Sequence, residues 1–267
     1  MPNQNQHGGE DRESRINWIR TGPADAEAVL LIHPVGYDLT HWDMQIDGLR
    51  HAYDVIAFDL PGHGLSPALP EDFSFEVMAA RVKSVIEASG HRAAHIVGIS
   101  VGGMIAQTFA LAQPDMTLSL TLVATASTFP TAAREGMRLR AQTVRQSGMA
   151  AILEPTLQRW FTPATLAERP HVIDRVTKVL LAGNPQVHAA MWEMIAGFDL
   201  HDRLDAIRCP TLILVGDQDP STPPTAAGQM AERIGNSRLV VIEGASHMLA
   251  IERFERVNAE ITSFLQG

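Results

Sequence analysis

Six short apolar runs, spread over 267 residues, constrain this chain more than any other feature. They are VLLI (Val29–Ile32), DVIAF (Asp54–Phe58), HIVGI (His95–Ile99), LSLTLV (Leu118–Val123), TLILV (Thr211–Val215) and RLVVI (Arg238–Ile242). None alternates apolar with polar residues as a strand with one wet face does. Near-continuous apolar strands belong to a sheet covered on both faces, which is usually a mostly parallel one. Between them, Phe75–Ser89, Val101–Gln113 and Phe254–Leu265 carry apolar residues at helical spacing. Asp72 and Ser74 are candidate N-caps for the first helix, and Gly90 is a candidate stop. Strand–helix alternation predicts an α/β fold, with a mostly parallel central sheet and helices on both of its faces.

The alternation breaks between Ser127 and Arg208. Gly136, Gly148, Pro155, Pro163, Pro170, Gly183 and Pro185 cut that stretch into several short helices. The strand rhythm resumes at Pro210, so the stretch is an insertion into one sheet rather than an independent domain. The expected organisation is a frayed polar tail over 1–14, a core formed by 15–126 and 209–267, and a helical lid over 127–208. The lid carries 10 Lys+Arg against 8 Asp+Glu, while the whole chain has a net charge of −9.

Composition removes several classes of function. The one cysteine, Cys209, excludes an intramolecular disulfide framework and any multi-cysteine metal site. The negative charge argues against nucleic acid as a partner. No run of 18 apolar residues offers a membrane span, and the polar start lacks the apolar stretch of a secretory signal. The expectation is a soluble cytoplasmic protein acting on a small molecule. No sequence feature defines an oligomer interface. His91 and His95 stand four apart, but His95 begins a strand, so they do not form a helical metal pair.

The run His95–Ile99 passes directly into Gly98-Ile99-Ser100-Val101-Gly102 and then a helix. This is G-x-S-x-G in the strand–turn–helix setting that gives the pattern meaning. The turn holds Ser100 in strained geometry at the C-terminal edge of the sheet. A Cβ at Gly98 or Gly102 would strike the neighbouring strand or helix. Ser100 also begins a helix, whose free N–H groups favour a developing oxyanion.

A serine nucleophile needs a base, and the base needs an orienting acid. Of the histidines well after Ser100, His171, His188 and His201 fall in the insertion. His247 follows the last strand in Gly244-Ala245-Ser246-His247-Met248, on the edge that carries Ser100. Asp217 and Asp219 both follow Thr211–Val215. Asp217 sits close enough to the strand to brace the loop, and Asp219 has more reach, so Asp219 is the preferred acid. Val101 N–H is one candidate oxyanion donor. The loop His33-Pro34-Val35-Gly36 supplies the other through Val35 N–H, since Pro34 has none.

With these motifs, and with Asp59-Leu60-Pro61-Gly62-His63-Gly64-Leu65-Ser66, the chain resembles the α/β-hydrolase superfamily over nearly its whole length. That resemblance implies a structural role for the Asp59–Ser66 loop and for His63. Within the superfamily the chain looks most like 3-oxoadipate enol-lactonases, through Gly36-Tyr37-Asp38-Leu39-Thr40-His41-Trp42 and Arg159-Trp160-Phe161-Thr162. It departs from them at His33-Pro34, where they carry small or amide residues. The resemblance implies that Arg159 and Trp160 face the substrate. It also implies hydrolysis of a carboxylic ester or lactone through an acyl-enzyme, with neither metal nor organic cofactor.

Arg159 suits a substrate with a free carboxylate. Met104, Met137, Met149, Met191, Met194, Met248, Trp160 and Trp192 suit an apolar acyl pocket, or ordinary core packing for at least half of them. An apolar pocket fits an N-acyl-homoserine lactone or a simple ester. A carbon–carbon bond hydrolase, a cofactor-free perhydrolase and a ligand receptor use the same framework and remain alternatives.

Overall fold

The computed structural model describes residues 7–10, 15–68 and 73–267. All six apolar runs are strands, and two strands precede them. In chain order they are β1 (His7–Glu10), β2 (Asn17–Thr21), β3 (Ala28–Ile32), β4 (Asp54–Phe58), β5 (Ala94–Ile99), β6 (Thr117–Val123), β7 (Thr211–Gly216) and β8 (Ser237–Ile242). They form one sheet in the order β1-β2-β4-β3-β5-β6-β7-β8. The β1–β2 and β2–β4 pairs are antiparallel, and every other pair is parallel.

Both faces of the sheet are covered, which is why the strands read as unbroken apolar runs. Along β3, Ala28, Leu30 and Ile32 enter one core cluster, while Val29 and Leu31 enter the other. The first cluster is closed by α2 (Phe75–Ala88), α3 (Val101–Ala112) and α9 (Pro224–Arg233), through Met78, Val82, Phe109 and Met230. The second is closed by α1 (Asp43–Leu49), α10 (Leu249–Glu252) and α11 (Phe254–Leu265), through Ile46, Leu49, Val257 and Ile261. Each fully buried aliphatic side chain contributes about 1.5–3 kcal/mol. Ser74 caps α2, its Oγ accepting from Val77 N–H at 3.1 Å. Asp72 lies outside the described residues.

The expectation of a frayed tail over 1–14 is corrected at His7–Glu10, which pair with Arg20–Asn17 as an edge strand. The outer edge of β2 offers unpaired backbone groups, and any short extended segment can satisfy them. Backbone pairing of this kind leaves no apolar signature, and Gly8-Gly9 has little strand propensity. Residues 1–6 and 11–14 lie outside the described part. The strand β2 was also hidden, because NWIRT is half-buried and mostly polar.

Five helices between β6 and β7 form a lid-like region: α4 (Thr131–Ser147), α5 (Leu153–Trp160), α6 (Pro163–Glu168), α7 (Pro170–Ala182) and α8 (Pro185–Ala196). The punctuation acts as its chemistry requires. Gly148 ends α4 at φ 74, and Pro163, Pro170 and Pro185 open α6, α7 and α8 at the first turn, where a missing N–H costs nothing. The helices α4 and α8 pack along one another. Among the described residues, no helix is long and apolar enough to cross a membrane.

The chain leaves β3 for β4 on one side, then returns to place β5 on the other. The crevice at the C-terminal ends of β3 and β5 is the point where ligands bind in open α/β sheets. The register pairs Ile32 with Gly98, so the loop after β3 lies beside Ser100.

Candidate active site

Ser100 stands between β5 and α3 with φ 55 and ψ −120, one of three non-glycine residues at positive φ among those described. Such strain, of order 1–3 kcal/mol, persists only where surrounding contacts over-determine it. Here Ser100 N–H donates to Val123 C=O at 2.9 Å, and Ser100 C=O accepts from Thr125 Oγ1 at 2.7 Å. The flanking glycines are required by contact. A Cβ on Gly98 would lie 2.2 Å from Gly102 O, and one on Gly102 would lie 2.2 Å from Ile32 O.

His247 lies in the loop after β8, with Nδ1 2.8 Å from Asp219 Oδ2. Asp219 is 3% exposed, and both of its carboxylate oxygens accept hydrogen bonds. Its Oδ1 accepts from Ser221 N–H at 2.8 Å and Thr222 N–H at 3.1 Å, and its Oδ2 accepts from Thr222 Oγ1 at 2.7 Å. Burial pushes the Asp219 pKa up, but His247 and the donors from Thr222 outweigh it and hold the group below its ordinary value. An ionised Asp219 only accepts, so Nδ1 of His247 carries the proton and Nε2 is left as a base. Asp217 is exposed, and its Oδ1 accepts from Ala245 N–H at 3.2 Å, which braces the β7 and β8 loops against each other.

Ser100 and His247 line one small cavity of about 30 Å³, together with Pro34, Val35, Met104, Phe129, Met137, Arg159, Trp160, Trp192, Ile195, Ser221 and Thr222. The N–H groups of Val35 and Val101 have no acceptor among the described residues. Of the residues expected at the substrate, Met104, Arg159, Trp160 and Trp192 are in this lining. Met248 is not in this lining. Its side chain is fully buried in the second core cluster, and its N–H donates to Trp160 C=O at 2.9 Å. Met149, Met191 and Met194 are likewise core residues.

The lid base is fastened to the His247 loop by a carboxylate that no sequence motif marked. Glu252 Oε1 accepts from Thr162 N–H and Thr162 Oγ1, both at 2.8 Å, and its Oε2 accepts from Ser246 N–H at 2.6 Å. One buried side chain thus holds the residue after Trp160-Phe161 and the residue before His247. Thr222 was also missed, although an Asp–x–x–Thr spacing is the local signal for such a turn.

His33 fixes the loop after β3. Its Nδ1 donates to Pro34 C=O at 2.8 Å, and its Nε2 accepts from Leu60 N–H at 2.9 Å, so it is neutral. Burial lowers its pKa to about 4, and burial together with His33 lowers that of His63 to about 4. In the unfolded chain both titrate near 6.5. The unfolded state therefore binds more protons as pH falls from 6.5 toward 4, and stability drops over that window, by about 3 kcal/mol per histidine at its lower end. The urea midpoint is expected to fall steadily between about pH 7 and pH 4.5. A flat midpoint there would contradict neutral buried imidazoles.

A larger cleft of about 720 Å³ lies beyond the lid wall, lined in part by Asp38, His63, Lys178 and His188. It contains neither Ser100 nor His247. The hydrogen bond from Trp192 Nε1 to His188 Nε2, 2.9 Å, stands between the two cavities.

With the geometry defined, comparison places the chain in a family. Residues 27–254 match the model of the alpha/beta hydrolase fold, and the chain belongs to that family. It is 28% identical to 3-oxoadipate enol-lactonase 2 of Acinetobacter baylyi, over 94% of this chain and 93% of that protein. The enol-lactonase of Burkholderia xenovorans superposes with a TM-score of 0.93 at 25% identity, covering 98% of this chain and 100% of that one. A thermophilic esterase of Thermogutta terrifontis, solved with malate bound, superposes at 0.88 with 31% identity, covering 98% of each.

Proposed function

We propose that this chain is a serine hydrolase that opens a carboxylated lactone or ester, in the manner of an enol-lactonase. The carrying observation is the 2.8 Å Asp219–His247 bond behind a strained Ser100 that shares a cavity with His247. Ser100 Oγ attacks the carbonyl carbon, and its proton passes to His247 Nε2. Asp219 holds the imidazole in the productive tautomer and stabilises its cation. The unpaired N–H groups of Val35 and Val101 receive the oxyanion, each contributing about 3–4 kcal/mol of transition-state stabilisation. The imidazolium then protonates the departing oxygen, which in a lactone stays tethered to the acyl-enzyme. Water activated by His247 releases the acid and restores Ser100.

A cavity of about 30 Å³ holds one water rather than a substrate. The catalytic cycle therefore includes parting of the lid helices from the core. The proposal assigns the lid to 127–208 and the core to 15–126 and 209–267.

Two observations support a carboxylated substrate. Arg159 lines the cavity with no acidic partner among the described residues. The similar esterase was solved with malate, a dicarboxylate. A second reading, a lactonase or carboxylesterase for neutral acyl groups, is favoured by the apolar part of the lining, namely Met104, Phe129, Met137 and Ile195. Initial rates on short p-nitrophenyl esters, N-acyl-homoserine lactones and a carboxylated enol-lactone separate the two. A high rate confined to the carboxylated lactone is expected. Preference for the neutral lactones would establish the second reading, and silence on all three would overturn both.

A further inference from the structure

The geometry points to a second cation beside the substrate pocket. We propose that Arg140, together with Arg159, forms a carboxylate-binding subsite in the lid wall, and that Arg140 is the residue that separates anionic from neutral substrates. This deepens the serine-hydrolase reading and rests on it for the identity of the reacting bond.

Arg140 lies on α4, one turn after Met137, which lines the Ser100 cavity. Its guanidinium carbon is 4.8 Å from the centre of the Trp192 ring, another lining residue. Its Nη1 donates to Thr156 Oγ1 at 3.4 Å, a long bond. Thr156 precedes Arg159 and Trp160 by three and four residues on α5, so all three share one helix face. The elements that supply the pocket wall therefore converge on this guanidinium.

Its charge is unanswered. Arg140 is half-buried, and no carboxylate accepts from it among the described residues. Neighbours on the same helix differ: Arg134 pairs with Asp199 at 3.3 Å, and Arg145 pairs with Glu193. Glu193, next to Trp192, is thus already engaged by another arginine. The charged group that acts on Arg140 is a second cation. Burial and then Arg159 push the Arg140 pKa down to about 10. His188, which accepts from Trp192 Nε1, is neutral, its pKa lowered to about 3 chiefly by burial.

A partly desolvated cation without a counter-ion is costly unless something anionic arrives. Four of the five guanidinium N–H groups on Arg140 have no acceptor among the described residues, and Arg159 adds an exposed, adaptable second fork. A substrate carboxylate between them would accept from both. Stacking on Trp192 keeps the Arg140 fork oriented before the substrate arrives, which a lysine cannot reproduce.

The test uses two esters of equal chain length, p-nitrophenyl hydrogen glutarate and p-nitrophenyl valerate, with purified wild type, Arg140→Gln, Arg140→Lys and, as a surface-charge control, Arg138→Gln. Arg140→Gln is expected to lower kcat/KM for the glutarate about 10- to 100-fold, mainly through KM, as loss of a charge-assisted hydrogen bond requires. Valerate turnover should stay within about threefold, Arg138→Gln should leave both unchanged, and Arg140→Lys should recover the glutarate rate only in part. Equal losses on both esters, or an unchanged glutarate rate, would overturn the subsite. If the wild type cleaves neither ester, the subsite is read directly by titrating glutarate against the melting temperature, and the hydrolase reading is decided separately by the carboxylated enol-lactone. Stabilisation of the wild type that is lost in Arg140→Gln then supports it, and equal or absent stabilisation in the two overturns it.

Discussion

Replacing Ser100 with alanine is expected to reduce ester turnover by about 10⁴- to 10⁶-fold, the loss seen when a nucleophile that works as a unit with its base is removed. The backbone should not change. Alanine keeps the Cβ, so φ 55 costs the same, and the bonds that hold the turn come from Ser100 N–H and C=O rather than from the hydroxyl. The urea midpoint is thus expected to stay at the wild-type value while the rate collapses. A folded Ser100→Ala protein retaining more than about a hundredth of the wild-type rate would place the chemistry on another group.

Asp219→Asn should cost about 10³- to 10⁴-fold in kcat, and Asp217→Asn less than about threefold. The difference follows from what each carboxylate accepts. Both oxygens of Asp219 are acceptors, Oδ1 for two backbone N–H groups and Oδ2 for Thr222 Oγ1 and His247 Nδ1. An amide has one oxygen. Turned one way, its NH₂ faces two N–H donors. Turned the other way, it donates to His247 Nδ1 and drives the imidazole into the tautomer that cannot take the Ser100 proton. Asp217 accepts one loop N–H at 3.2 Å, which an amide oxygen also serves. The pair of variants, compared by kcat on one ester, distinguishes orientation of His247 from bracing of the loop. Equal losses would return Asp217 to candidacy.

How much of this was legible depended on the range of the interaction. The elbow could be read because Gly98, Ser100 and Gly102 fall within five contiguous residues at the end of an apolar strand and the start of a helix. The six central strands could be read because burial on both faces leaves an apolar run. Strand β2 and the pairing of β1 could not, since backbone hydrogen bonds to a sheet edge make no demand on side-chain type. The burial of Met248 in the second core cluster was not legible either, since it depends on residues remote in the chain.

The sequence by itself determined the α/β layering, the insertion between β6 and β7, and the strand–Ser100–helix turn, because periodicity and turn chemistry are properties of contiguous residues. Tertiary structure alone decided which carboxylate reaches His247, that Glu252 reaches Thr162, 90 residues away, as well as Ser246, and that Arg140 rests on Trp192 without a carboxylate partner among the described residues. Each of those depends on distances between helices and loops remote in the chain. Those distances are set by how the two cores pack, a sum over many side chains that no local pattern records.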